Sequence, residues 1–244
     1  LSGQPENLRS LTSFYDIVQD SQSKDALQHY TAQGAMGRLL DADTDDLMLS
    51  PFMVFEIEDL MNLGDKNLIP VLTYLFHRIE TSLDGTPTIL VLDEAWIMLG
   101  HPVFRAKIRE WLKVMRKANC AVILATQSLS DAKNSGILDV LAESCPTKIF
   151  LPNITATQEA QRELYVGMGL NETQINIIAR ATPKRDYYVA SPLGRRQVQL
   201  ALGPKTLAFV GSSDKERIAR IQDIAAEYGA DGWQYEWLRE RGAA

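Results

Sequence analysis

From Pro51 onward the chain alternates two textures. Short runs are apolar at almost every position: FMVFEI (52–57), TILVLD (88–93), CAVILA (120–125) and TKIFL (147–151). Longer runs repeat their apolar residues every three or four positions: NLIPVLTYLFHRIETSL (67–83), VFRAKIREWLKVMRKA (103–118) and SGILDVLAES (135–144). Near-continuous apolar strands separated by amphipathic helices predict a parallel sheet covered on both faces, the α/β layout, with TKIFL as its fourth strand. Pro70 fits the first turn of its helix, where its missing N–H costs nothing. ATQEAQRELYVGMG (156–169) predicts a helix opened by a capping box between Thr155 and Gln158, and LNETQINIIARA (170–181) a second helix. DYYVA, the SPLG turn, RRQVQLALG and TLAFV (206–210) predict an antiparallel pair or small sheet, and IARIQDIAAEYG (218–229) a terminal helix. Before Pro51 the texture is polar, with helical spacing in LTSFYDIVQ and DALQHYTAQ. The resulting plan is a helical region over 1–48, an α/β core over 49–212 and a helical segment over 213–244.

Composition narrows the class. With 45% hydrophobic residues in 244, the chain is built to pack a core, which excludes disorder. Its 31 acidic against 25 basic residues give a net charge of −6, which excludes a surface that grips nucleic acid all round but leaves room for a local basic face. Cys120 and Cys145 form no CxxC and read as small core residues of a reducing compartment. No apolar run approaches the ~18 residues of a membrane span and LSGQPENLRS has no signal-peptide pattern, so the expectation is a cytoplasmic protein. The start at Leu1 rather than Met points to a portion of a longer polypeptide.

Asp93 and Glu94 end the apolar run TILVL, and burying an unpaired charge is costly, so the pair belongs at a strand tip that meets something positive. At the C-terminal edge of a parallel sheet, an Asp helps hold a Mg²⁺ ion bridging nucleotide phosphates, and a Glu orients or deprotonates the attacking water. An acidic pair capping the next helix is the plainer alternative. The next strand adds weight, because CAVILATQS puts Thr126, Gln127 and Ser128 at its tip, within reach of a γ-phosphate or its water.

As a set, VLDEAW (91–96), the basic helix, ILATQS (123–128), KIFLPN (148–153) and KRDYYVASPLGRRQVQLALGP (184–204) resemble the C-terminal ATPase domain of the VirB-four/TrbE class, the large ATPases of type IV secretion and conjugation, within the HerA/FtsK group of RecA-like motors. The resemblance covers most of residues 50–210. It implies a RecA-like P-loop core with a helical insertion, ATP and Mg²⁺ as cofactors, and a homo-hexamer. It also implies a cytoplasmic place, peripheral to a bacterial inner membrane, among the inner-membrane and cytoplasmic subunits of a secretion apparatus. The activity implied is ATP hydrolysis that powers apparatus and pilus assembly or substrate passage. Asp93 and Glu94 match the Walker B pair, with Mg²⁺ held through water by Asp93, and Gln127 matches a sensor. Arg116 matches an arginine finger acting in trans, with Arg109 the competing assignment. Thr126 and Arg185 are the further nucleotide-binding candidates, with Arg195 and Arg196 as alternatives to Arg185.

The sequence departs from that family in containing no GxxxxGK[ST]. GPKT (203–206) lacks the spaced glycines and reads as lying among strand-like residues. Since the family's P-loop precedes its helical insertion, the expectation is a portion that begins after it and turns over little ATP alone. Two other functions stay open: a DNA translocase of the HerA/FtsK type, to which the net charge gives no support, and a docking module whose hydrolysis is dispensable.

Other signals weigh less. DADTDD (41–46) lacks the Gly and terminal Glu of a Ca²⁺ loop and reads as a solvated loop. His29, His77 and His101 lack ligand spacing, and Ser128 has no GxSxG context. Trp233, Tyr235 and Trp237 read as helix packing or an interface anchor. In the basic helix Phe104, Ile108, Trp111, Leu112 and Met115 form the apolar face, expected against the sheet, and Arg105, Arg109, Lys113 and Arg116 line a neighbouring stripe. That stripe is either a solvated surface or one facing the next subunit's nucleotide or a central channel.

Overall fold

The computed structural model describes residues 5, 9–42, 44–45, 47, 50–57, 60, 64–212 and 214–243. The chain divides into two compact units, Leu1–Asp131 and Ala132–Ala244.

The first unit begins with short helices, α1 (Leu11–Ile17), α2 (Ser21–Gln28) and α3 (Gly37–Leu40). Ser10 and Asp20 cap the first two by accepting the N–H groups of Ser13 and Ser23. The Asp41 carboxylate gathers this region, accepting from the backbone N–H of Leu11 (2.6 Å), Thr12 (3.0 Å) and Ala32 (2.7 Å). Asp45 pairs with Arg78 at 3.0 Å. The described residues of DADTDD are therefore bonded into the fold rather than merely solvated; Asp43 and Asp46 lie outside the described residues.

FMVFEI forms no strand: residues 53–57 carry no regular structure, and Phe52 and Val54 are exposed. Strand propensity needs a partner ladder to be realised, and none of the described strands pairs with this segment. Helix α4 (Asp65–Ser82) follows, with Pro70 at its sixth position rather than in its first turn. Pro70 leaves the Lys66 carbonyl without its intrahelical donor, and the Tyr30 hydroxyl donates to that carbonyl instead, at 2.7 Å.

Strand β1 (Thr88–Leu92) leads through α5 (Trp96–Gly100) and α6 (Pro102–Val114) to a 3₁₀ turn (Met115–Ala118) and β2 (Cys120–Leu124). The two strands pair in parallel, Thr88 opposite Cys120 through Leu92 opposite Leu124. Phe104, Ile108, Trp111 and Met115 are buried as their spacing requires, but the ring contacts of that face are made with α4. Phe76 meets Phe104 edge-on at 5.6 Å and Trp111 at 4.6 Å. The Trp111 indole donates to Glu80 at 2.6 Å and Lys107 pairs with Glu80 at 2.5 Å, so the polar atoms at this helix interface are matched. Helix α7 (Leu129–Asn134) comes next.

The second unit holds α8 (Leu138–Ser144), β3 (Lys148–Phe150), α9 (Glu159–Gly167), α10 (Glu172–Arg180), β4 (Asp186–Ser191), β5 (Gly194–Gln199), α11 (Pro204–Val210) and α12 (Lys215–Glu240). TKIFL is not a fourth parallel strand. It pairs antiparallel with β4, Phe150 opposite Tyr188, in a separate sheet of order β3-β4-β5. The β4–β5 hairpin forms as its alternation predicts, with Asp186 opposite Gln199 and Ser191 opposite Gly194. TLAFV is helical, because Gly203 and Pro204 stand at the N-cap and first helical positions, where Pro's fixed φ favours a helix start. The capping box at Thr155 does not form. Gln158 is the N-cap of α9 without a side-chain cap bond, whereas Asn171 and Gln174 make a complete box at α10. Of the two cysteines only Cys120 is buried; Cys145 is half-exposed. Helix α12 breaks at Gly229, whose φ of 72° suits glycine, and Arg220 on one side meets Glu240 on the other at 2.8 Å. Trp237 is buried with its indole donating to the Ala208 carbonyl at 2.9 Å, and Trp233 meets Phe209, while Tyr235 is exposed.

Candidate nucleotide site

At the C-terminal tips of β1 and β2 the ladder carries one residue too many. The Leu92 carbonyl accepts from Ala125 N–H at 2.9 Å, and the Ala125 carbonyl accepts from Ala95 N–H at 3.0 Å. In an unbroken parallel ladder the second donor would be residue 94; here Asp93 and Glu94 together oppose Ala125, which is a β-bulge. Glu94 takes a left-handed conformation, φ 49°, and its N–H donates to Asp93 Oδ1 at 3.0 Å. A non-glycine residue there costs on the order of 1 kcal/mol, and such strain collects at functional sites. The result is two adjacent exposed carboxylates projecting from a buried base, since Leu92 and Ala95 on either side are enclosed.

Gln127 joins them. Its Nε2 donates to Glu94 Oε1 at 3.1 Å, across the two strand tips. An ionised Glu94 accepts only, so the Gln127 amide must present its NH₂. Thr126 turns its hydroxyl back onto the Ser128 carbonyl at 3.3 Å, and Ser128 Oγ accepts from Ser130 N–H at 3.0 Å. Asp93, Glu94 and Gln127 thus share one edge, as their positions at strand ends predict.

The basic stripe divides. Arg105 donates to the Leu99 and Gly100 carbonyls at 3.0 and 3.2 Å, finishing α5, and Lys107 belongs to the Glu80 pair. Arg109 is half-buried on α6. Arg116 is exposed in the 3₁₀ turn at the N-terminal end of β2, so a five-residue strand of about 16 Å separates it from its own Gln127. Arg185 belongs to the second unit, exposed in the turn before β4. There Arg195 donates to Gln174 at 2.7 Å, and Arg196 is exposed on β5. GPKT lies between β5 and α11, contrary to its strand-like reading, but still lacks the spaced glycines of a phosphate loop.

Among the described residues no group of three or more His, Cys, Asp or Glu side chains forms a metal cluster. Two exposed carboxylates suit Mg²⁺, which keeps most of its waters and takes one or two protein oxygens beside phosphate. The residues present fit the metal and water side of a nucleotide site.

Residues 16–191 match the family model of the TraG P-loop domain. The chain belongs to that family. It is similar to a probable conjugal transfer protein TrbE of Sinorhizobium fredii, 62% identical over 96% of this chain and 35% of that protein. It is also similar to the conjugal transfer protein TrbE of Rhizobium radiobacter, 61% identical over 97% of this chain and 29% of that protein. The chain therefore spans about a third of the length of these relatives. The solved structure of VirB4 of Thermoanaerobacter pseudethanolicus shares its fold, with a TM-score of 0.60 at 20% identity over 83% of this chain and 58% of that one. For this TraG-family chain, the α/β expectation holds, with a parallel pair and an antiparallel sheet instead of one longer parallel sheet. Among the described residues no helix is long and apolar enough to cross a membrane.

Sequence periodicity does not reveal the bulge. Its one signal is the small residue Ala95 directly after two carboxylates, where the strand pattern does not stop but skips one position.

Proposed function

We propose that this chain carries the Walker B side of the nucleotide site in a type IV secretion and conjugation ATPase of the VirB4/TrbE class, which powers apparatus and pilus assembly or substrate passage. The observation that carries the reading is the bulge, which presents Asp93 and Glu94 together and lets Gln127 hold Glu94 at 3.1 Å. The family match and the TrbE relatives support it.

Asp93 is positioned to hold Mg²⁺ through water, and Glu94 to accept the proton of the attacking water. Gln127 keeps the Glu94 carboxylate oriented. Bound Mg²⁺-ATP supplies the phosphoanhydride and neutralises charge on the phosphates. Thr126 and Arg185 are phosphate ligands in this reading. Arg116, at the far end of β2 from its own site, serves the neighbouring subunit of a homo-hexamer. The assembly works at the cytoplasmic side of a bacterial inner membrane, against other secretion subunits.

The test is Glu94→Gln in the full-length protein. Hydrolysis is expected to fall on the order of 10²-fold or more while ATP still binds, and secretion to fail with it. Unchanged hydrolysis would overturn the site; secretion that persists without hydrolysis would overturn the motor. Residues 1–244 alone are expected to fold but turn over little ATP, and robust hydrolysis abolished by Asp93→Asn would refute that.

A further inference from the structure

We propose that Ala95 is a positioning residue for Glu94, fixing through its size and its main-chain bond where the carboxylate stands; this rests on the catalytic reading of Glu94 above. Ala95 closes the bulge. Its N–H is the donor that resumes pairing with the Ala125 carbonyl after the extra residue, at 3.0 Å, and the whole residue has 0% exposure. Glu94 is the immediately preceding residue, held left-handed, so its orientation is set by where the Ala95 nitrogen is pinned. A methyl fits the enclosed space. Any added atom has no solvent to turn toward and must move something. Buried elements resist, since Leu92 before the bulge and Met98 and Leu99 after it are themselves enclosed. The carboxylate pair is exposed and yields most readily. Displacement would lengthen the Gln127–Glu94 hydrogen bond first, because a bond between two exposed side-chain tips is the weakest constraint in the arrangement. Ground-state binding of nucleotide depends little on that bond, whereas proton acceptance by Glu94 depends on placement to within about 1 Å.

The experiment uses the full-length protein with the graded series Ala95→Ser, Ala95→Thr and Ala95→Val, and Glu94→Gln alongside. The expected result is a kcat that falls with side-chain size, reaching a loss of about 10- to 100-fold for Ala95→Val, while KM for ATP stays within about threefold. The acidic limb of the kcat–pH profile is expected to shift in the same order, which a loss of folded protein alone would not produce. A flat kcat across Ser and Thr overturns the proposal, and those two variants decide it if Ala95→Val does not fold. A KM that rises as much as kcat falls also overturns it. Wild-type hydrolysis by Glu94→Gln would sink the catalytic reading itself; a silent Ala95 series beside an inactive Glu94→Gln would sink only the positioning role.

Discussion

In the β1–β2 pair, Ile89, Val91 and Ile123 share one face with Ala121 and are 68%, 59% and 52% exposed. In the second unit, β4 buries Asp186, Tyr188 and Ala190 in strict alternation, and β5 turns GRRQVQ largely to solvent. The first sheet is apolar on both faces and parallel; the second is apolar on one face and antiparallel. Parallel strands are stable where both faces are covered, while an antiparallel hairpin can leave one face wet. The difference separates a sheet whose composition anticipates further covering from one that is finished by its own hairpin. The carboxylate bulge sits on the first kind.

The largest expected effect tests whether the working chemistry belongs to the parallel pair. Arg116→Ala in the full-length protein is expected to reduce hydrolysis on the order of 10³-fold with modest loss of ATP binding, because a guanidinium bridges phosphate oxygens as Lys117 cannot. Arg185→Ala, in the antiparallel unit, is the contrasting variant and is expected to weaken ATP binding more than turnover. Mixed hexamers of Arg116→Ala and Glu94→Gln subunits should regain some of the activity, since some interfaces then pair intact partners. No recovery in hexamers shown to be mixed would return Arg116 to the solvated stripe.

The next test addresses the open face. Ile123→Lys is expected to change the stability of residues 1–244 by no more than about 0.5 kcal/mol, because Ile123 is already 52% exposed. In the full-length protein the same change is expected to cost about 3 kcal/mol, the penalty for an unpaired charge under a cover. Gln197→Lys on β5 should be silent in both. Equal costs for Ile123→Lys in the two proteins, read from denaturant midpoints, would erase the distinction between the sheets.

How much of this was legible depended on the distance over which the determining forces act. The hairpin, the two parallel strands and the strand-tip positions of Asp93, Glu94 and Gln127 follow from side-chain periodicity, and the structure has them. What failed needed information from elsewhere. FMVFEI reads as a strand but has no described ladder partner, and TKIFL reads as parallel although nothing in five residues specifies pairing direction. TLAFV loses its strand character to Gly203 and Pro204, a local helix-start signal that outweighs its β-type residues. Thr155 and Asn171 offer the same box spacing, and Asn153 explains why only one forms: its Oδ1 takes both the N–H and the hydroxyl of Thr155, at 3.0 and 2.7 Å. The bulge is invisible in the pattern because one extra residue leaves the apolar runs on either side intact.

Acid sharpens the comparison at smaller amplitude. Burial raises the Glu80 pKa, but the hydrogen bonds from Lys107 and Trp111 outweigh it and leave the carboxyl below its ordinary value. Asp186 is also held low, first by the Thr182 N–H and then by the Gln199 amide. Both depressed carboxylates contribute stability that is complete above the ordinary carboxylate range near ~4 and lost as pH falls through their folded values. Glu80→Gln and Asp186→Asn should each flatten the fall of Tm below that pH. Because Lys107 is charged and the donors to Asp186 are neutral, about 1 M salt should shrink the Glu80 contribution and spare that of Asp186. Equal salt sensitivity of the two would contradict the assignment.

The smallest effect contrasts two helix starts. Helix α10 carries its own box, whereas α4 starts at Gly64 without a side-chain cap and meets Pro70 at its sixth position. The Lys66 carbonyl has lost its donor to Pro70 and regained one from Tyr30, a residue of the N-terminal helical region. Tyr30→Phe is therefore expected to cost about 0.5–1 kcal/mol, limited by the water that can replace the hydroxyl. In a Pro70→Ala background the residue 70 N–H is restored to the same carbonyl, and Tyr30→Phe should then cost almost nothing. The double-mutant cycle thus carries the prediction: a coupling close to the whole single-mutant effect of Tyr30→Phe is expected from equilibrium denaturation. Independent, additive effects would mean that Tyr30 does not act through the carbonyl that Pro70 exposes.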